Sequence, residues 1–170
     1  MRKRREARER AVQFLFQHDV SPAAEVDAAL QAFWHNTRLN AALDAHGPTW
    51  GEKVELPPPT AEETATRVFA DALVKGVLQH RDQLDELIRK HAKNWDLHRM
   101  AVVDRNILRL AIHEMLHRED IPPVVSINEA VDIAKKFSTQ ESGKFVNGIL
   151  DKIKGEVLRP ARTAKDGPAS

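Results

Sequence analysis

AVVDRNILRLAIHEMLHREDIPPVVSINEAVDIAKKFSTQESGKFVNGILDKI, residues 101–153, decides the fold. Val103, Ile107, Leu110, Ala111 and Met115 recur at three- and four-residue spacing, which lines apolar side chains along one side of an α-helix. That helix runs to about His117. Pro122-Pro123 stops it, because proline lacks the backbone donor and crowds the preceding turn. Ser126-x-x-Glu129 has the form of a capping box, and Ala130, Ile133, Ala134 and Phe137 make the next helix amphipathic. Val146, Ile149, Leu150 and Ile153 mark a last helix. Nothing here alternates with the period of two that a strand requires.

Toward the N-terminus the same spacing continues. Leu84, Leu87, Ile88 and His91 form one stripe. Ala65, Val68, Phe69, Ala72, Leu73 and Val77 form another, after a capping box at Thr60-x-x-Glu63. Val26, Ala29, Leu30, Phe33 and Trp34 follow Ser21-Pro22, which reads as a cap with proline in the first turn. Ala7, Ala11, Val12, Leu15 and Phe16 mark the first helix. Between about 36 and 60 the pattern lapses. Gly47-Pro48, Gly51 and Pro57-Pro58-Pro59 read as an irregular connection holding Trp50, with a single turn near Leu39 to Leu43. After Arg159-Pro160 the chain turns small and polar, so 159–170 is expected to be a disordered tail. The expectation is an all-α chain of about seven helices in two groups split at 36–60, with 1–158 forming one domain.

Composition narrows the function. No cysteine is present among 170 residues, which excludes a disulfide framework and thiolate zinc and suits the cytoplasm. No apolar run reaches bilayer length, and AVQFLF is too short for a signal peptide. Net charge is only +1, but residues 1–10 carry six bases and two acids, whereas the other 160 carry 20 bases and 23 acids. Positive charge is thus gathered at one end, which fits either a solubilising tail or a patch for a polyanion.

His113-Glu114-Met115-Leu116-His117 matches H-E-x-x-H, the helical zinc motif in which the glutamate serves as base. Glu129 is the candidate third ligand, yet the capping box already explains it. No edge strand is available to align a peptide. The metalloprotease reading is set aside, and no metal or cofactor is assigned. Phosphate-binding glycine loops, G-x-S-x-G and a cysteine nucleophile are all lacking, so no enzyme activity is expected.

VDRNILRLA at 103–111, DIPPVVSINEAVDIAKKF at 120–137, SGKFVNGILDKI at 142–153 and RREARERAVQFLFQ at 4–17 together resemble the NusB family of bacterial transcription antitermination factors. The resemblance implies two packed helical subdomains. It implies binding of single-stranded boxA RNA from ribosomal RNA operon leaders, jointly with the small-subunit ribosomal protein NusE. Other Nus factors and RNA polymerase are then indirect partners, and self-association as a homodimer varies among relatives. NusB-like domains also precede RNA methyltransferase domains, but 170 residues leave no room for a cofactor-binding α/β unit. The alternative is a helical interaction module of ribosome or polymerase without its own RNA contact.

Residue by residue, the resemblance places Arg4, Arg5 and Arg8 in the family's arginine-rich RNA-binding stretch, which Arg2 and Lys3 extend. Glu6 stands where some relatives carry a base. Phe145 matches an aromatic RNA contact, although its spacing to Ile149 also suits the core. Lys144 is a candidate phosphate contact, and Asn147 either reads a base edge or simply faces solvent. Phe16, Asp104 and Glu141 fall at positions used in or near NusE recognition. Local roles compete with these: Phe16 as part of the core, Asp104 and Glu141 as first-turn acids favoured by the helix dipole. Arg105 and Arg109 fit either surface bases or partners of acids one turn away.

Overall fold

The computed structural model describes residues 2–46, 55–92 and 96–166. Seven helices follow in order among these residues: α1 (Arg2–Val20), α2 (Val26–His46), α3 (Ala61–Gln79), α4 (Arg81–His91), α5 (Val102–His117), α6 (Pro123–Phe137) and α7 (Gln140–Asp166). Trp50 and the loop around it lie outside the described residues.

The apolar stripes become one continuous core. Leu15 of α1, Leu73 of α3, Leu84 and Ile88 of α4, Ile107, Leu108 and Ile112 of α5, Ile133 of α6, and Leu150 and Ile153 of α7 are all fully buried. Each such side chain contributes about 1.5–3 kcal/mol by leaving water. α5 is the central strut, buried from Asn106 through Glu114. It therefore has no solvent face in that stretch, and His113, which the spacing allows to be partly exposed, is buried as well.

Several local readings change. Thr60 does cap α3, its Oγ1 accepting from the Glu63 amide at 3.1 Å. The Glu63 carboxylate, however, accepts from Arg38 at 3.0 Å instead of returning to the cap. The box at Ser126 and Glu129 does not form: α6 begins at Pro123, so Ser126 lies inside the helix. Its Oγ donates to Glu114 at 3.3 Å. Ser21-Pro22 precedes α2 by several residues and caps nothing there. α2 continues to His46 instead of lapsing at 35. It is held to α3 by Trp34 Nε1 donating to Asp71 at 2.8 Å and by the Lys75–Asp27 pair. α7 runs past Pro160 to Asp166, where the composition expects the chain to leave order.

α6 and α7 form a hairpin whose corner is capped by Thr139. Its Oγ1 accepts from the Ser142 amide at 3.0 Å. Gly143 follows, and the Lys135 side chain of α6 lies over it: a Cβ there would come 2.8 Å from Lys135 Cγ and push that side chain aside.

Candidate nucleic-acid interface

α1 lies along α6. Arg5 reaches Glu129 at 2.6 Å and Asp132 at 2.8 Å. One turn later Glu9 accepts from Lys136 at 2.9 Å. The start of α7 then packs on Lys135 through Gly143. The exposed side chains of Asp132, Lys135 and Lys136 thus carry a surface from the N-terminal bases of α1 to Lys144.

The predicted bases divide into two kinds. Lys3, Arg4 and Arg5 are exposed and pair with acids: Lys3 with exposed Glu62 at 3.3 Å, Arg4 with exposed Asp120 at 3.9 Å, and Arg5 with exposed Asp132 and buried Glu129. Arg8 is 3% exposed, and its guanidinium donates twice to Glu114, at 2.7 and 2.8 Å. As a phosphate contact Arg8 is therefore corrected: both of those donors are committed inside the core. The Arg2 side chain lies outside the described residues. Lys144 is 77% exposed beside Glu141 at 3.6 Å. Phe145 is half-buried against the core, and Asn147 is exposed.

The second set gathers at the corner where α5 and α7 begin. Asp104 is buried. Its Oδ2 accepts from Ser142 Oγ at 3.1 Å, while Oδ1 has no partner among the described residues. Burial raises the pKa of this carboxyl, against the Ser142 hydrogen bond. Glu141 is exposed next to Ser142. Phe16, 43% exposed, is not core; with Val20, also exposed, it forms an apolar ridge at i and i+4 on α1. Asp19, between them in sequence, accepts from Arg105 at 2.7 Å and from Asn106 at 3.0 Å, which fixes that ridge against the start of α5. Phe16, Asp104 and Glu141 are therefore brought toward one corner.

A family profile, the NusB family, matches residues 5–154. The chain belongs to the NusB family. It is 46% identical to the transcription antitermination protein NusB of Bacillus subtilis over 91% of this chain and 97% of that one. Among solved structures, T. maritima NusB is similar at 34% identity with a TM-score of 0.67, covering 90% of this chain and 91% of that one. A chain in the crystal structure of antitermination factors NusB and NusE in complex with double-stranded RNA is 25% identical, with a TM-score of 0.65, over 92% and 98% of the two chains.

Within this family fold, sequence reasoning missed the surroundings of Phe69. Arg4 and Arg118 lie 4.9 and 5.0 Å from its ring centroid, and Arg8 approaches to 5.5 Å. Arg118 is partly exposed and adds a cation to the basic end that no N-terminal run announces. Arg105 and Arg109 are not surface bases. Arg109 is 3% exposed and binds Asp85 through two nitrogens, at 2.6 and 3.1 Å, and Asp19 at 2.9 Å. Burial alone would raise the Asp19 carboxyl, but Arg105, Asn106 and Arg109 outweigh it and hold the group well below the usual carboxylate range. The glutamate of H-E-x-x-H is fully buried and held by Arg8 and Ser126, which removes it as a general base. Among the described residues no helix is long and apolar enough to cross a membrane.

Proposed function

We propose that this chain is a transcription antitermination factor that acts by binding instead of catalysis. It takes boxA-type single-stranded RNA together with NusE, within a Nus-factor complex on RNA polymerase in the cytoplasm. The observation that carries this reading is the meeting of the two residue sets at the start of α7. Lys144 and Phe145 follow directly on Glu141 and Ser142, and Ser142 ties Asp104 to the same corner. The likeness to a chain crystallised with NusE and RNA supports it.

In this reading Lys3, Arg4, Arg5 and Lys144 meet phosphates, half-buried Phe145 takes a base against its ring, and Asn147 lies within reach of a base edge. Exposed ion pairs contribute only about 0–1 kcal/mol, so phosphates can displace the acids that now hold these cations. Arg8 acts indirectly, by anchoring α1. Phe16 supplies apolar contact to NusE and exposed Glu141 accepts its donors, while buried Asp104 holds that corner in place through Ser142.

The test is the mobility of labelled boxA RNA with this chain, with NusE, and with both, alongside a duplex of the same sequence. Retention of the single strand that strengthens when both proteins are present is the expected result. Retention by NusE alone, unchanged by this chain, would overturn it. The second reading, a module without RNA contact, draws on one observation: Lys3, Arg4 and Arg5 each already face an acid. It predicts that the chain joins NusE but leaves RNA affinity unaltered.

A further inference from the structure

His113 and His117 stand four apart on α5 and so share a side of the helix. Glu129, the third ligand that sequence spacing suggests, is taken by Arg5. A different residue meets the pair. His80, at the junction of α3 and α4, stacks on His117 with ring centroids 4.1 Å apart, and His113 lies 5.0 Å from His117 and 5.8 Å from His80. One ring nitrogen of each falls within 4.8 Å of the others.

Three details point to ligation beyond chance packing. His113 is 94% buried by its 6% exposure, yet its Nδ1 has no hydrogen-bond partner among the described residues. A histidine packed only as a core residue would satisfy that atom. His80 Nδ1 lies 3.0 Å from the Gly76 carbonyl. With its proton there, it donates to that carbonyl and leaves the Nε2 lone pair for a metal, the usual outer support of a ligating imidazole. Gly76 itself makes the space: a Cβ there would collide with Cε1 and Nε2 of His113.

We propose that His80, His113 and His117 form a three-imidazole site for a divalent transition-metal ion of the zinc class, with water in the fourth position. Imidazole suits zinc, copper, nickel and cobalt, whereas magnesium and calcium prefer oxygen. Tetrahedral bonds of 2.0–2.1 Å require nitrogens about 3.3 Å apart. The cluster closes to that spacing by rotation of exposed His117 and half-exposed His80 about their side-chain bonds. Arg118, next to His117, opposes a dication, but Asp120 binds it through two oxygens at 3.0 and 3.1 Å. The ion would clip the α3–α4 junction to the end of α5. It would not hydrolyse peptides, because Glu114 is locked to Arg8.

The test uses the untagged full chain, titrated calorimetrically with zinc chloride, with cobalt chloride as a visible-absorption probe and magnesium chloride as a control. Expected are one zinc or cobalt per chain, a tetrahedral cobalt spectrum, a higher Tm with zinc, and no magnesium binding. His80→Gln and His117→Gln, both outside the core, should each weaken zinc by about tenfold or more, while exposed His98→Gln changes nothing. Absence of stoichiometric zinc binding by the folded chain would overturn the proposal. Undiminished binding by the His80→Gln/His117→Gln double variant would overturn it equally.

Discussion

Arg5 and Arg8 stand less than one turn apart on α1, and each donates to a glutamate. They have opposite meanings. Arg5 is 44% exposed, and although Glu129 beneath it is buried, its second partner Asp132 faces water, so part of its attraction is screened and exchangeable. Arg8 and Glu114 are sealed in the core, where neither tolerates loss of the other. Residue type makes the two arginines equivalent; position on the helix, and the burial that follows from it, separates a ligand-facing cation from a structural one.

The largest expected effect breaks that contrast from the buried side. Arg8→Met leaves the Glu114 carboxylate without its charge partner and should cost about 3–5 kcal/mol in denaturant unfolding. Arg5→Ala should cost less, about 1–2 kcal/mol, because it removes a donor from Glu129 at the edge of the core. Pairing Arg8→Met with Glu114→Leu should restore most of the loss, because a well-packed apolar pair replaces a buried ion pair at little net cost.

The Asp19 hub offers a second buried comparison, read by pH. Its carboxyl is held low in the folded chain, so its stabilisation is present above the unfolded value near 4 and is lost as pH falls below it. Asp19→Asn should remove about 2 kcal/mol of stability at neutral pH and flatten the acid limb of the stability curve. Acid titration of both proteins by circular dichroism checks this.

On the exposed side, Phe145→Ala should weaken single-stranded RNA by about 1–3 kcal/mol, the scale of one base stacked on an aromatic ring, with little change in salt dependence. Lys144→Gln should have the smallest effect, lowering the salt slope by about 0.7 with unchanged stability. Fluorescence anisotropy at several salt concentrations separates the two.

Much of this was open to a reader of the sequence. The proline stop at 122–123 and the stripes of α3 to α7 gave the helices, because local periodicity reflects which side is buried. The burial of Arg8 was also written there: it lies three, four and seven residues before Ala11, Val12 and Leu15, squarely on the apolar stripe. A base in that position requires a buried acid, and Glu114 occupies the matching place after Ile107 and Ala111. The partnership of the two was not legible, since it depends on which helices cross. The same holds for Arg109 with Asp85 and for His80 beside His113 and His117. The second half of α2 escaped notice because its polar residues mask the period, though Arg38 anchors it to Glu63. Phe16 looked like core because it neighbours Leu15, but α1 turns it outward beside Val20.

The most direct test of the division within α1 is the salt dependence of boxA RNA binding by the wild type and by Arg4→Gln/Arg5→Gln, in the presence of NusE. The double variant should unfold at nearly the wild-type denaturant concentration while its slope of log affinity against log salt becomes shallower by about 1.4, two phosphate contacts' worth. An unchanged slope, with affinity equal to wild type at every salt concentration, would contradict the assignment of the exposed end of α1 to RNA.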